Sequence, residues 1–139
     1  MSGNERENRP EARPAKPVCI LLVEDNEVYR EALELLLGLR DDVEVVGSVS
    51  DGESALECCG ELAPDAVLLD YRLPGLDGVE ATRTVLEQFP HVAVVCLTAL
   101  ASSGEREALL EAGAHACLTK DQELGEIVGA VHDAVARVS

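Results

Sequence analysis

The 139-residue chain contains no tryptophan, one phenylalanine and two tyrosines. With aromatics so scarce, its core must be aliphatic, and the chain supplies the material: 47% of its residues are apolar, mostly Leu, Val and Ala. Long apolar runs are also missing. None approaches the ~18 consecutive apolar residues a membrane span needs. The opening MSGNERENRPEARPAKP has no apolar stretch of the kind a secretory leader carries. Basic residues are the third shortage. The formal net charge is −16, and after residue 17 the only lysine is Lys120. So little base cannot neutralise a phosphate backbone, which argues against direct binding to nucleic acid. The five cysteines, Cys19, Cys58, Cys59, Cys96 and Cys117, form no CxxC and no Cys/His metal spacing. Cys19, Cys96 and Cys117 fall in apolar runs, where a thiol serves as a small hydrophobe. A reducing, cytoplasmic setting is therefore expected.

What is present has two alternating periods. Residues 1–17, rich in Pro, Glu, Arg and Asn, read as a disordered arm. VCILLV (18–23) is a continuous apolar run of strand length. Asn26 is a candidate N-cap, and Val28, Ala32, Leu35, Leu36 and Leu39 follow at helical spacing as the expected inward face. VEVVGSV (43–49) is a second strand; Asp51 can cap a helix carrying Ala55, Leu56, Cys59, Leu62 and Ala63. The third strand is 66–69. Asp77 and Glu80 have capping-box spacing, with Val79, Thr82, Leu86 and Phe89 inward and Pro90 as the stop. HVAVVCLT (91–98) is the fourth strand, and Ser102 with Glu105 opens a fourth helix that ends at Gly113. ACL (116–118) is a short fifth strand. A last helix begins near Asp121, its expected N-cap, with Leu124, Ile127, Val128, Val131 and Val135 on one face. Five strand–helix repeats with continuous apolar strands specify an α/β domain, a parallel sheet covered on both faces, over 18–138.

In such a sheet, sites form where strands end at their carboxyl edge. Here the ends are Glu24-Asp25, Asp70, Thr98 and Lys120. Each has a local explanation taken singly. An acidic pair suits the start of a helix, Asp and Thr suit turns, and a lysine suits a surface. Together they bring three carboxylates, a hydroxyl and an ammonium to one edge. Carboxylates held close repel unless a cation lies among them. Mg²⁺ suits the set as a hard ion bound by carboxylates, waters and phosphate oxygens. One carboxylate could then attack phosphorus, with Lys120 and Thr98 meeting the oxygens of the transferred group. Asp70 is the best nucleophile candidate because its strand is central and the loop after it can donate N–H groups.

The stretches LLVEDN, LLDYRLPGLDG, LTA and GAHACLTK resemble the motifs of response-regulator receiver domains of bacterial two-component systems. The resemblance spans residues 18 to about 137. DYRLPGLDG and LTKD look most like receivers that precede helix-turn-helix output domains of the nitrate-regulator type. The resemblance implies a doubly wound, flavodoxin-like (βα)5 three-layer sandwich with strand order 2-1-3-4-5, a fold of which receivers of this family are a familiar example. It implies Asp70 as phosphoacceptor, Mg²⁺ on Asp25, Asp70 and the backbone carbonyl of Arg72, with Glu24 acting mostly through metal-bound water. Thr98 and Lys120 would contact the phosphoryl oxygens. The donor would be a phosphohistidine on a sensor histidine kinase or phosphotransfer protein. The output would be binding to another protein or to a second copy of the chain. Such a domain is a signalling switch with Mg²⁺-dependent self-phosphorylation and slow autodephosphorylation, and not an enzyme for free substrates.

Two other functions stand beside this one: a degenerate receiver that binds independently of phosphorylation, and an Asp-nucleophile phosphohydrolase. The second lacks an acid close after Asp70, where Tyr71-Arg72 stand. Relatives carry an aromatic residue three positions before the lysine, where this chain has Cys117. Cys117 cannot fill an aromatic volume, so a switch is expected to work through the Thr98 loop and the fourth helix, with smaller amplitude. Asp121 stands where many relatives place proline, and no cis bond is expected there.

Overall fold

A computed structural model describes residues 16–74, 77–99 and 102–138. The arm expected over 1–17 lies, up to residue 15, outside the described residues. The strands are β1 (Val18–Val23), β2 (Val43–Val49), β3 (Ala66–Asp70), β4 (Ala93–Thr98) and β5 (Ala116–Thr119). They alternate with α1 (Glu27–Gly38), α2 (Gly52–Leu62), α3 (Gly78–Gln88), α4 (Ser103–Glu111) and α5 (Leu124–Val138). All neighbours are parallel, in the order β2-β1-β3-β4-β5.

Each strand feeds both layers because successive side chains point to opposite faces. Leu21, Val23, Val67, Leu69, Val94 and Cys96 face Ala55 and Cys59 of α2, Ala81 and Val85 of α3 and Leu109 of α4. Ile20, Leu22, Leu68, Val95 and Leu97 face Leu33 and Leu37 of α1 and Ile127, Val128, Val131 and Ala134 of α5. This is the three-layer arrangement that continuous apolar strands require.

The helices start where their caps are. Asn26, Asp51 and Asp77 each accept a backbone N–H three residues on, and Ser102 and Glu105 form a reciprocal capping box. Gly113, with φ of +113°, ends the turn after α4, a conformation open to glycine and costly for other residues.

Two expectations need correction. On α1 the inward face is not Val28, Ala32, Leu35, Leu36 and Leu39. Leu33 and Leu37 are the buried residues, while Val28, Leu35 and Leu39 are at least 70% exposed. The helix carries two apolar stripes, and the one that begins at Tyr29 meets β1 and α5. The last helix also starts later than expected. The Glu123 carbonyl accepts N–H bonds from Glu126 and Ile127, and the Glu123 N–H donates to the Glu126 carboxylate at 3.1 Å. Asp121 is therefore not its cap; its carboxylate accepts the Thr119 hydroxyl instead.

Candidate functional site

The register fixes what meets at the carboxyl rim. Val23 is level with Leu69, Asp70 with Leu97, and Thr98 with Thr119. Glu24, Asp25, Asp70, Thr98 and Lys120 consequently reach one edge from four strand ends. The Lys120 N–H donates to the Thr98 carbonyl at 2.8 Å, continuing the β4–β5 ladder past its last residue.

Lys120 points into the acidic group. Its Nζ lies 2.8 Å from Oε1 of Glu24 and 3.5 Å from Oδ2 of Asp70. One carboxylate oxygen each from Glu24, Asp25 and Asp70 lies within 4.8 Å of the others. Glu24 and Asp70 are buried and Asp25 is exposed, so the group opens to solvent on the Asp25 side. Glu24 is anchored twice: its Oε2 accepts the Asn26 N–H at 3.0 Å and its carbonyl accepts from Arg30 at 2.8 Å. The Arg72 N–H reaches Oδ1 of Asp70 at 3.4 Å, while the Arg72 side chain is exposed.

Burial and the neighbouring Glu24 charge push the Asp70 carboxyl up to about 6, against the opposing pull of Lys120 and the Arg72 N–H. For Lys120, burial acts to lower its pKa. The hydrogen bond to Glu24 and the charges of Asp70 and Glu24 outweigh it, and the ammonium is held above its ordinary range.

The donor set fits a hard divalent cation. Three carboxylates face one ammonium, leaving a net negative pocket, and one of the three is open to water, as an ion that keeps part of its hydration shell requires. An open cavity of about 520 Å³ beside it is lined by Asp25, Tyr71, Arg72, Leu73, Pro74 and Asp77.

Cys117 does not reach this pocket. It is buried in the layer under α2, α3 and α4. Sequence reasoning also missed two contributors. Tyr29 places its ring 4.7 Å under the Lys120 ammonium, a cation–π contact that helps aim the side chain. The signal was available as the i, i+4, i+8 stripe Tyr29–Leu33–Leu37. Gly78 donates to the Tyr71 carbonyl at 2.7 Å and closes the loop after Asp70. A Cβ there would lie 2.6 Å from Cα of Tyr71 and 3.1 Å from the Asp70 carbonyl oxygen. Glycine directly after an N-cap was the sequence hint of this close approach.

A sequence profile described as "Response regulator receiver domain" matches residues 20–132. The chain belongs to that family, the receiver domains of two-component systems. Over 114 residues it is 38% identical to the response regulator GacA of Pseudomonas viridiflava, an alignment covering 82% of this chain and 53% of GacA. It is likewise 38% identical over 114 residues to the transcriptional regulatory protein LnrK of Bacillus subtilis, covering 82% of this chain and 52% of LnrK. The chain thus spans about half the length of these relatives. Among solved structures, the signal receiver domain of a response regulator named NarL from Mycobacterium tuberculosis superposes with a TM-score of 0.83 at 34% identity, covering 87% of this chain and 98% of that one. The described residues include no helix long and apolar enough to cross a membrane.

Proposed function

We infer that this receiver accepts a phosphoryl group on Asp70 from a phosphohistidine of a sensor kinase or phosphotransfer protein, and that the modified domain signals by changed affinity for a protein partner in the cytoplasm. The observation that carries this reading is the position of Lys120 Nζ, bonded at once to Glu24 and within 3.5 Å of Asp70. Transfer forms a bond from an Asp70 oxygen to phosphorus and breaks the phosphorus–nitrogen bond of the donor, whose electron pair stays on the imidazole.

Asp25, Asp70 and the Arg72 carbonyl would hold Mg²⁺, with Glu24 acting through its water. When bound, the ion supplies neutralising charge to the phosphoryl oxygens. The chain's own residues do the rest. Glu24 holds the ammonium in reach of Asp70. Lys120 then has a second set of oxygens to meet once Asp70 is modified. The buried Thr98 stands at the end of the adjacent strand, where its hydroxyl can join them. The Arg72 N–H donates to the nucleophile's carboxylate, and the Gly78 N–H, bonded to the Tyr71 carbonyl, holds the backbone just after it. The transferred group's charge is spread over three oxygens, so such fixed partners lower the barrier without rearranging.

The test is incubation with Mg²⁺ and acetyl phosphate, read by intact mass. A single added phosphoryl group that is absent in Asp70→Asn supports the reading. Repeated turnover of phosphate esters would indicate a hydrolase instead. No modification at all would leave a phosphorylation-independent binding module.

A further inference from the structure

The start of α1 closes a circuit of contacts around the Lys120 ammonium. Oε1 of Glu24 lies 2.8 Å from Lys120 Nζ, and Oε2 of Glu24 accepts the Asn26 N–H at 3.0 Å. The Asn26 side chain, as N-cap, accepts the Tyr29 N–H at 3.0 Å. Tyr29 in turn lays its ring 4.7 Å from Lys120 Nζ, which returns the circuit to Glu24. One helix cap therefore sets two of the groups that flank the ammonium.

The ring is held by packing. Tyr29 is half-buried against the layer that α1 and α5 share. Beside it a cavity of about 120 Å³ is lined in part by Leu33, Leu36, Leu124, Ile127 and Lys120 itself, so the lysine stem has free space at its side. Among the described residues the Tyr29 hydroxyl has no hydrogen-bond partner. What Tyr29 offers Lys120 is its ring face.

The partners of the ammonium differ in kind. Glu24 and Asp70 are the acids that the functional reading assigns to the cation and the phosphoryl group, so their hold on Lys120 weakens once the pocket is engaged. The ring carries no net charge and attracts the ammonium in either condition. A lysine fixed in place gives up much rotamer freedom. With space beside its stem, it needs a partner that does not change.

We propose that Tyr29 is a positioning residue whose ring retains the Lys120 ammonium beside Asp70 while Glu24 and Asp70 take up the cation and the phosphoryl group. The proposal rests on the reading of Asp70 as phosphoacceptor and adds the group that keeps Lys120 in place through transfer.

The experiment compares the full chain as wild type, Tyr29→Phe, Tyr29→Leu and Tyr29→trifluorophenylalanine, whose ring keeps the shape of phenylalanine but loses its negative face. Labelling by acetyl phosphate at saturating Mg²⁺ is timed by intact mass. Tyr29→Phe should label within about twofold of wild type, while the leucine and fluorinated variants should label about fivefold more slowly, as loss of a partly desolvated cation–π contact requires. Packing alone would leave the fluorinated variant at the rate of Tyr29→Phe, and that result overturns the proposal. A second readout needs no reaction. Before any metal is added, NMR should show the Lys120 ε-methylene protons shifted upfield by the ring in wild type and at their ordinary position in Tyr29→Leu. The shift should survive addition of Mg²⁺ and beryllium fluoride; its disappearance there also overturns the proposal. Failure of acetyl phosphate to modify the wild type overturns the reading of Asp70 first, and the role of Tyr29 with it.

Discussion

Two charged clusters sit at opposite ends of the sheet, and each contains an aspartate. At the carboxyl end, Asp70 lies beside Glu24 and Lys120, 6% exposed, with its carboxyl pushed up to about 6. At the amino end, Asp42 accepts from Arg40 at 2.9 Å and 3.0 Å and pairs with His132 at 3.0 Å. Its carboxyl is held down at about 2, first by the Arg40 hydrogen bonds. Both acids have a cation in reach, yet they shift in opposite directions. Asp42 is partly open to solvent and has no carboxylate partner among these contacts, so pairing prevails. Asp70 is dry and shares its cation with a second buried acid, so desolvation and repulsion prevail. One cluster fastens α5 to the turn before β2. The other holds charge that folding alone does not favour, which is where chemistry is to be expected.

That contrast can be broken at its strongest point by Lys120→Met. It leaves Glu24 and Asp70 facing each other, and unfolding by urea in a chelator should show a loss of about 3 kcal/mol. A loss below about 1 kcal/mol would mean the rim is solvated as the amino end is. Next, Gly78→Ala places a Cβ against the backbone of Tyr71 and should cost about 2 kcal/mol. It should also slow labelling by acetyl phosphate, because the loop that orients Asp70 must move; unchanged labelling would separate loop closure from the site. A third change asks how dry the rim stays once occupied. Arg72 lines the open cavity beside Asp70, so Arg72→Asn should shorten the phosphorylated lifetime about threefold, followed by mass spectrometry after donor removal. An unchanged or longer lifetime would remove Arg72 from water exclusion.

The smallest effect is at the other end. The folded pKa of Asp42 is below its unfolded value, so its contribution is complete above about pH 4 and fades as pH falls toward 2. Asp42→Asn should therefore cost no more than about 0.5 kcal/mol at pH 7, since solvent screens the pair. The difference from wild type should close as the pH approaches 2. A penalty that persists there would point to packing and not to charge.

Much of this molecule is legible before folding is considered. Strand runs, caps and the acids at strand ends depend on residues a few positions apart, so Asn26, Asp51, Asp77 and the Ser102–Glu105 box start helices where local chemistry places them. The failures occur where two local solutions compete. α1 offers apolar residues at eight of the twelve positions from Val28 to Leu39, and both stripes satisfy a helical period. Asp121 and Glu123 could both cap α5, and the Thr119–Gln122 turn claims the first.

The sequence by itself determined the order of elements, the aliphatic two-faced sheet and which residues stand at each strand's end, because these follow from periodicity and nearest-neighbour hydrogen bonding. Only the tertiary structure decided which side of α1 is dry, that Tyr29 and Gly78 shape the rim, and that one aspartate is raised while another is lowered. Those outcomes depend on what distant segments bring within a few ångströms, where desolvation and Coulomb terms take their sign.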